Sequence, residues 1–419
     1  MSVVVGTSSG FFGWRVVWAA FTVAVFGWGV GFYGPSVFLQ VLHKAHGWPV
    51  SLISGAITCH FLVSAAIVAR LPRLYQRFGL ALVTRAGGIS AGLGVFAWAV
   101  AAEPWQLYPA ALLSGAGVAF TSGAAINAMV APWFNHRRPA ALSIAFNGAS
   151  VGGLVFTPLW AFLIPWLGFA NSAMAVGCTM AIALWWVAGT YLSASPASLG
   201  QSPDGELQSA ANVAPKVGTE LAAALPAGSA VWRDRRFATL SISSALGLFA
   251  QIGLIAFLFS FLAPALGDTG AGAAVSLTTA CAIFGRTLFG MLLPAEADRR
   301  VASALNFTIQ ITGTLALLAA GNTSVALSLL GCALFGLGLG NLVSLPPLIA
   351  QREFVRSDVP RVVALITATN QAVFAFAPFI LGTLSDLAGS TRAPILAVAS
   401  VQIVAAVAVL VGRSTRSAS

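Results

Sequence analysis

Acidic side chains are almost missing from this sequence. Eleven Asp and Glu stand in 419 residues, and all charged residues together make 8% against 58% hydrophobic. A soluble globular domain carries about a quarter of its residues as charges, so a soluble fold is excluded. The mean hydropathy of +0.89 agrees. Cysteine is scarce too. Cys59, Cys178, Cys281 and Cys332 each fall in an apolar run without metal-ligand spacing, so neither a disulfide framework nor a metal site is expected. The chain also lacks a Walker phosphate loop, a His/Asp/Glu cluster within its apolar segments, and a Ser-His-Asp constellation that spacing favours. A self-contained ATP-driven pump is thereby excluded, an enzyme is not supported, and no cofactor is expected.

Twelve continuous apolar runs fill the chain instead, at approximately 14–39, 50–71, 82–101, 106–131, 139–164, 170–192, 237–262, 271–293, 301–319, 324–350, 360–384 and 391–412. About 20 apolar residues make a helix that crosses a hydrocarbon core of roughly 30 Å. Membrane strands would instead alternate over segments of about 10 residues. The runs therefore predict an all-α membrane protein with twelve transmembrane helices. The first ten residues are mildly polar, lack a basic cluster and lead straight into a full-length run, so a cleaved signal peptide is not expected.

Charge placement gives the topology. With both termini cytoplasmic, 18 of the 21 basic residues fall in cytoplasmic segments, and the outer loops hold only Lys44 and Arg392. The excess of positive charge is thus the positive-inside pattern of a membrane protein, and nucleic-acid binding is not needed to explain it. Residues 193–236, rich in Ser, Ala, Pro and Gly, contain no spanning run and read as a cytoplasmic linker, flexible or partly helical. The linker divides the chain into an N-terminal six-helix half, 1–192, and a C-terminal six-helix half, 237–419.

The halves resemble each other. Gly115 and Gly117 in run four match Gly336 and Gly338 in run ten at an offset of 221. Ala141, Leu142, Asn147 and Ala149 in run five match Ala364, Leu365, Asn370 and Ala372 in run eleven at an offset of 223. Two near-equal offsets between runs that a six-plus-six duplication would pair indicate parallel repeats. Such repeats are related by an axis along the membrane normal and rock around a site near the midplane.

Every acid falls in a loop or near a run end, and after the inner and outer basic residues one cation remains, Arg286 in run eight. By helical rise it lies about 15 Å from Glu296 and about 27 Å from Asp268, near the midplane. A guanidinium there costs at least roughly 2.5–3.5 kcal/mol on insertion scales, so it must face the bundle interior or water. Carbonyls or an amide such as Gln251 or Asn341 can satisfy it. Alternatively it is an unpaired cation in a wet cavity, awaiting an anion. Thr279, Ala282 and Gly290 on its helical face are small and favour the second reading by leaving room, and the planar donor fork suits a carboxylate. Tyr33, Asn147, Gln251, Asn370 and Gln371 are the accompanying substrate-site candidates, each with a competing role as an interhelical hydrogen bond. His60, the one histidine at membrane depth, either carries a coupling proton or packs as a neutral, hydrogen-bonded ring. The aromatic residues of run one, Trp18, Phe21, Phe26, Trp28, Phe32 and Tyr33, supply either an apolar cavity wall or a lipid face.

Four segments resemble the monocarboxylate-transporter branch of the major facilitator superfamily, which includes the bacterial oxalate:formate antiporter group. They are "GWRVVWAAF" at 13–21, "YGPSVFLQVLHKAHGWPVSLIS" at 33–54, "RFGLALVTRAGG" at 77–88 and "APWFNHRRPAALSIAFNGASVGG" at 131–153. The resemblance implies a secondary transporter of a small organic anion, working as a monomer in a bacterial inner membrane by symport or exchange. It also implies that Arg286, before "GMLLPAEADRR", binds the substrate carboxylate. Ala282 stands where proton-coupled relatives have an aspartate, and run eleven lacks the lysine of dicarboxylate antiporters. Both departures point to a monocarboxylate without an Asp–Arg proton pair. Gln76 and Pro72 depart from the loop motif after run two. A carrier of a larger, weakly charged solute such as a vitamin or drug is the alternative reading.

Overall fold

With no water in the membrane core, each backbone polar group must be satisfied within the segment, and an apolar run answers by becoming a helix. The computed structural model describes residues 11–205, 228–294, 296–321, 323–390 and 392–413. Glu206, Lys216, Glu220 and Arg416 lie outside the described residues, as do the side chains of Asp268 and Asp386. The first half contains α1 (Gly13–Gly31), α2 (Gly34–His46), α3 (Val50–Val68), α4 (Leu71–Phe78), α5 (Leu80–Ala99), α6 (Leu107–Phe120), α7 (Gly123–Val130), α8 (Arg138–Leu167) and α9 (Phe169–Tyr191). The second contains α10 (Arg235–Leu292), α11 (Arg299–Ala320), α12 (Val325–Leu339), α13 (Asn341–Glu353), α14 (Val359–Phe374), α15 (Ala377–Ala388) and α16 (Arg392–Val411).

Among the described residues, eleven helices are long and apolar enough to cross a membrane, and α3, bent by 59° into α4, makes twelve crossings. The long α10 supplies two of them, because Gly267 takes a φ of +68° that lets the chain reverse between Arg235–Ile255 and Gly270–Leu292. Gly168, at φ +78°, turns α8 into α9 in a single residue.

Continuous helices were the expectation for crossings one, four, ten and eleven. Each is instead interrupted, at Phe32–Tyr33, Thr121–Ser122, Gly340 and Ala375–Phe376. At the second break Thr121 Oγ1 bonds back to the carbonyls of Gly117 and Val118. A hydroxyl that competes for helix carbonyls in this way loosens the turn it sits on.

Packing reproduces the internal repeat. Crossing one packs on five as seven packs on eleven, two on four as eight on ten, three on four as nine on ten, and three on six as nine on twelve. The matched glycines make the matched contacts: Gly115 lies against His60 of crossing two and Gly117 against Ala91 of crossing three, while Gly336 lies against Thr278 of crossing eight and Gly338 against Gln310 of crossing nine. Close backbone approach through small residues is how membrane helices associate where lipid gives no hydrophobic drive. Two seams join the halves, crossing five with eight and crossing two with eleven, which the same pseudo-symmetry exchanges.

Phe12, bonded to Gln201 of the linker, and Arg413, paired with Asp298 at the start of α11, mark the linker face of the bundle. On this linker face Arg300 pairs in bidentate fashion with Glu353, at 2.6 and 2.7 Å, and also donates to the carbonyls of Arg236 and Val409, so it binds crossings seven, nine, ten and twelve together. The first part of the linker is anchored too. Asp204 accepts hydrogen bonds from the backbone N–H groups of Asn135, His136 and Arg137 at 2.8 to 3.2 Å, its own N–H donates to Trp133, and Gln201 accepts from the N–H of Phe12. Composition suggests flexibility here, but the Asp204 carboxylate caps three orphan donors ahead of α8. Asp204→Gly keeps the left-handed φ of +64° and removes only the carboxylate. It is expected to cost about 1 kcal/mol, as loss of a helix cap does, and to lower the melting temperature in detergent. An unchanged midpoint would show that the anchor adds nothing.

Candidate functional site

The interrupted crossings surround a cavity of about 120 Å³ between the halves. Its wall brings together Tyr33, Gln251, Arg286, Asn370 and Gln371, five of the residues that the sequence singled out, with Trp28, Phe32, Phe61 and Phe374 as the aromatic part. Arg286 is buried. Its Nε donates to the carbonyl of Gly340 at 2.6 Å, and its Nη1 to the carbonyl of Phe146 at 2.5 Å, to Asn147 Oδ1 at 3.2 Å and to Ser150 Oγ at 3.3 Å. Nη2 makes none of these bonds. No acidic residue among those described forms an ion pair with it.

The guanidinium is therefore held by carbonyls and an amide in this state, as one of the two readings has it, and among the described residues it has no acidic counter-ion. The reading of the small residues beside it as open room is corrected. Gly340 packs against the Ala282 carbonyl and the Arg286 stem, and Gly290 packs against Ser143 and the Pro139 carbonyl. These positions admit neighbouring helices, and the cavity lies elsewhere along the arginine.

Asn147 does not line the cavity. It accepts from Arg286, and its Nδ2 donates to Thr287 Oγ1 at 2.8 Å, while Ser143 Oγ donates to the Arg286 carbonyl at 2.8 Å. Gln251 is braced by Gln310 Oε1 and the Leu339 carbonyl. Asn370 Nδ2 donates to Ser244, and its Oδ1 and the Gln371 Oε1 are buried without a hydrogen-bond partner among the described residues. Asn341 instead joins Asn306 and the Leu337 carbonyl behind the site.

His60 is fully buried outside the lining. Its Nε2–H donates to the Gly31 carbonyl at 3.1 Å and its Nδ1 accepts from Ser114 at 2.7 Å, the geometry of a packing histidine that ties crossings one, two and four. Of the aromatic residues of crossing one, Trp28, Phe32 and Tyr33 face the cavity, whereas Trp18 is 60% exposed on the lipid side. Ser150, Ser122 and Phe374 were not anticipated. Ser150 lies three residues beyond Asn147, one helical turn along the same face, which was the available signal.

Toward the opposite face the cavity is closed by Phe32, Phe61 and Phe374, whose ring centroids stand 5.3 to 5.9 Å apart in edge-to-face contacts. Toward the linker face it adjoins a vestibule of about 1650 Å³: Gly123, Pro347 and Val363 line the cavity, and the next residues, Ala124, Leu348 and Ala364, line the vestibule.

Two six-helix halves around a midplane cavity open to one face are the architecture of an alternating-access carrier, and the profile described as Major Facilitator Superfamily matches residues 17–378. The chain belongs to the major facilitator superfamily. A curated relative, "MFS-type transporter 1" of Ophiocordyceps sp. (strain BCC 1869), is 27% identical over 355 residues, covering 82% of this chain and 72% of that one. Among solved structures the chain is similar to the major facilitator transporter FucP in the outward conformation, with a TM-score of 0.68 at 15% identity, covering 96% of this chain and all of the other. It is also similar to the human organic anion transporter MFSD10 (TETRAN), with a TM-score of 0.63 at 14% identity over 95% and 97% of the chains. At these identities the structural likeness shows the fold alone. The protein is a multi-pass membrane transporter of this superfamily.

In this transporter a Cβ at Gly340 would stand 2.5 Å from the Ala282 carbonyl and 3.0 Å from Arg286 Nε, whereas one at Gly272 meets nothing within 4 Å. Gly340→Ala is expected to break the Arg286–Gly340 bond and raise hydrogen–deuterium exchange across residues 282–290. Gly272→Ala should leave exchange there unchanged. Equal exchange in both variants would contradict the described contact.

Proposed function

We propose that this transporter carries a small organic monoanion, a monocarboxylate, across a plasma membrane by alternating access, using symport or exchange. The observation that carries the reading is Arg286: a buried guanidinium in the cavity wall with no carboxylate partner among the described residues and with Nη2 outside its carbonyl bonds. An entering carboxylate finds Nη2 at once and gains a bidentate fork by taking a donor from the span-five groups. Tyr33, Gln251, Asn370 and Gln371 supply polar contacts to the rest of the solute, and the aromatic residues take its carbon skeleton.

Size supports a small cargo. A volume of about 120 Å³ falls below the roughly 300–1,000 Å³ of pockets that take drug-sized ligands, which counts against a vitamin or drug in this state. The 18 basic residues on the linker side support a cytoplasmic linker face, and so an inward-open state here. The four segments of the first half that resemble the oxalate:formate antiporter group support a bacterial inner membrane. Residues 1–192 and 237–419 act as the two moving halves, with 193–236 as their tether.

Ala282 leaves Arg286 without the acid through which a proton would be exchanged with it, so coupling runs through other groups or through an exchanged solute. Uptake of a panel of labelled monocarboxylates into proteoliposomes tests the reading. Arg286→Ala is expected to lower uptake about a hundredfold, about 3 kcal/mol. Arg286→Lys should fall about tenfold, because an ammonium cannot reproduce the planar fork. A folded Arg286→Ala protein with full uptake would overturn the proposal.

A further inference from the structure

The vestibule carries a charge pattern that topology alone does not demand. Arg73, Arg138, Arg299, Arg352, Arg356 and Arg361 line it, against Glu296 and Asp358. The positive-inside rule is satisfied by arginines exposed to water at the ends of the crossings, such as Arg70, Arg77 and Arg137. Arg138, at the start of α8, is only 7% exposed. It is held rigidly, with Nε donating to the Phe134 carbonyl at 2.7 Å and Nη2 to the Ala131 carbonyl at 2.5 Å, while Nη1 makes no hydrogen bond among the described residues.

Arg138 belongs to the first half, and a cation of the second half, Arg356, stands near enough for the two charges to act on each other. Asp204 is the nearby acid, and its oxygens are already engaged by three backbone N–H groups. Neither arginine forms an ion pair among the described residues. A further donor of the same wall, Gln351 Nε2, is buried without a hydrogen-bond partner among the described residues. Like charges from opposite halves, one of them buried and aimed by carbonyls, form a gap that an anion fills.

We propose that the vestibule holds a second anion site between Arg138 and Arg356, a station where a carboxylate pauses on its way between the linker face and Arg286. The station stands nine residues, about 13 Å of helical rise, from Asn147 along α8. It rests on the cargo being an anion, but its own test does not use transport. Basic walls around a cleft concentrate anions and raise their entry rate, whereas the opposite face has only Lys44 and Arg392 to do so.

The test places a cysteine at Ala128, in the vestibule wall, in a protein freed of its four native cysteines. Labelling rates are measured with a sulfonate-bearing and a trimethylammonium-bearing methanethiosulfonate, with and without acetate as the competing anion. Expected is a preference for the sulfonate reagent of about tenfold, the lower end of electrostatic steering, and a saturable loss of that preference with acetate. Arg356→Gln should lower the preference and abolish its saturable loss with acetate. Because Arg356 makes none of the described backbone bonds, this variant keeps the test valid even where Arg138→Gln fails to fold. A saturable acetate effect that survives Arg356→Gln, or an acetate effect that only follows ionic strength and never saturates, would overturn the station. Arg286→Ala should leave the labelling pattern intact, which separates failure of the station from failure of the cargo reading.

Discussion

A guanidinium at the middle of a membrane has to be hydrogen-bonded to something, and what it bonds to here organises the bundle. Arg286 on crossing eight reaches the Phe146 carbonyl on crossing five and the Gly340 carbonyl at the break of crossing ten. Asn147, Ser143 and Thr287 complete a polar seam between the halves. The glycines follow from it: Gly340 and Gly290 let two neighbouring backbones come within reach of one arginine. The interruption of crossing ten is part of the same solution, since a cavity wall tolerates irregular backbone where lipid would not.

The second seam has the opposite character. At the cavity, crossings two and eleven meet through the uncharged rings of Phe61 and Phe374, with Phe32 from crossing one. Pseudo-symmetry relates the two seams, yet one is polar and the other apolar. An aromatic seal opens and closes without unmet hydrogen bonds. The arginine seam gives up its carbonyls readily only when another acceptor replaces them, because a buried donor left unpaired costs more than the bond itself contributed. In the proposed cycle the substrate anion is that acceptor, so binding and the release of crossing five from crossing eight become one event.

The crossings and their connectivity were legible in the sequence because apolar length and charge placement report directly on a membrane solvent. Run boundaries differ from the helix ends by a few residues, and the glycine pairs that revealed the repeat proved to make equivalent contacts in both halves. The arginine's neighbours were harder to read. Backbone carbonyls have no residue-specific signature, so nothing in the sequence marks Phe146 or Gly340 as partners. Small residues are ambiguous for a related reason: Ala282 and Gly290 signal missing volume, and only packing tells whether a ligand or a helix fills it. Asn147, a substrate-site candidate in the sequence, does not line the cavity and instead braces Arg286, the role expected of Gln251 or Asn341. His60 looked singular by composition, while its partners Ser114 and the Gly31 carbonyl come from two other crossings. The anchoring of the linker by Asp204 was hidden by a composition that is otherwise that of a flexible tether.

The account turns on Arg286 linking anion occupancy to the seam between crossings five and eight. The direct measurement is the distance between spin labels at His136 and Leu292, near the linker-face ends of those crossings. It is followed while the wild type and Arg286→Gln are titrated with a monocarboxylate that the wild type takes up. The account predicts a carboxylate-dependent shift of the distance distribution in the wild type and none in Arg286→Gln. An equal shift in both proteins would contradict it.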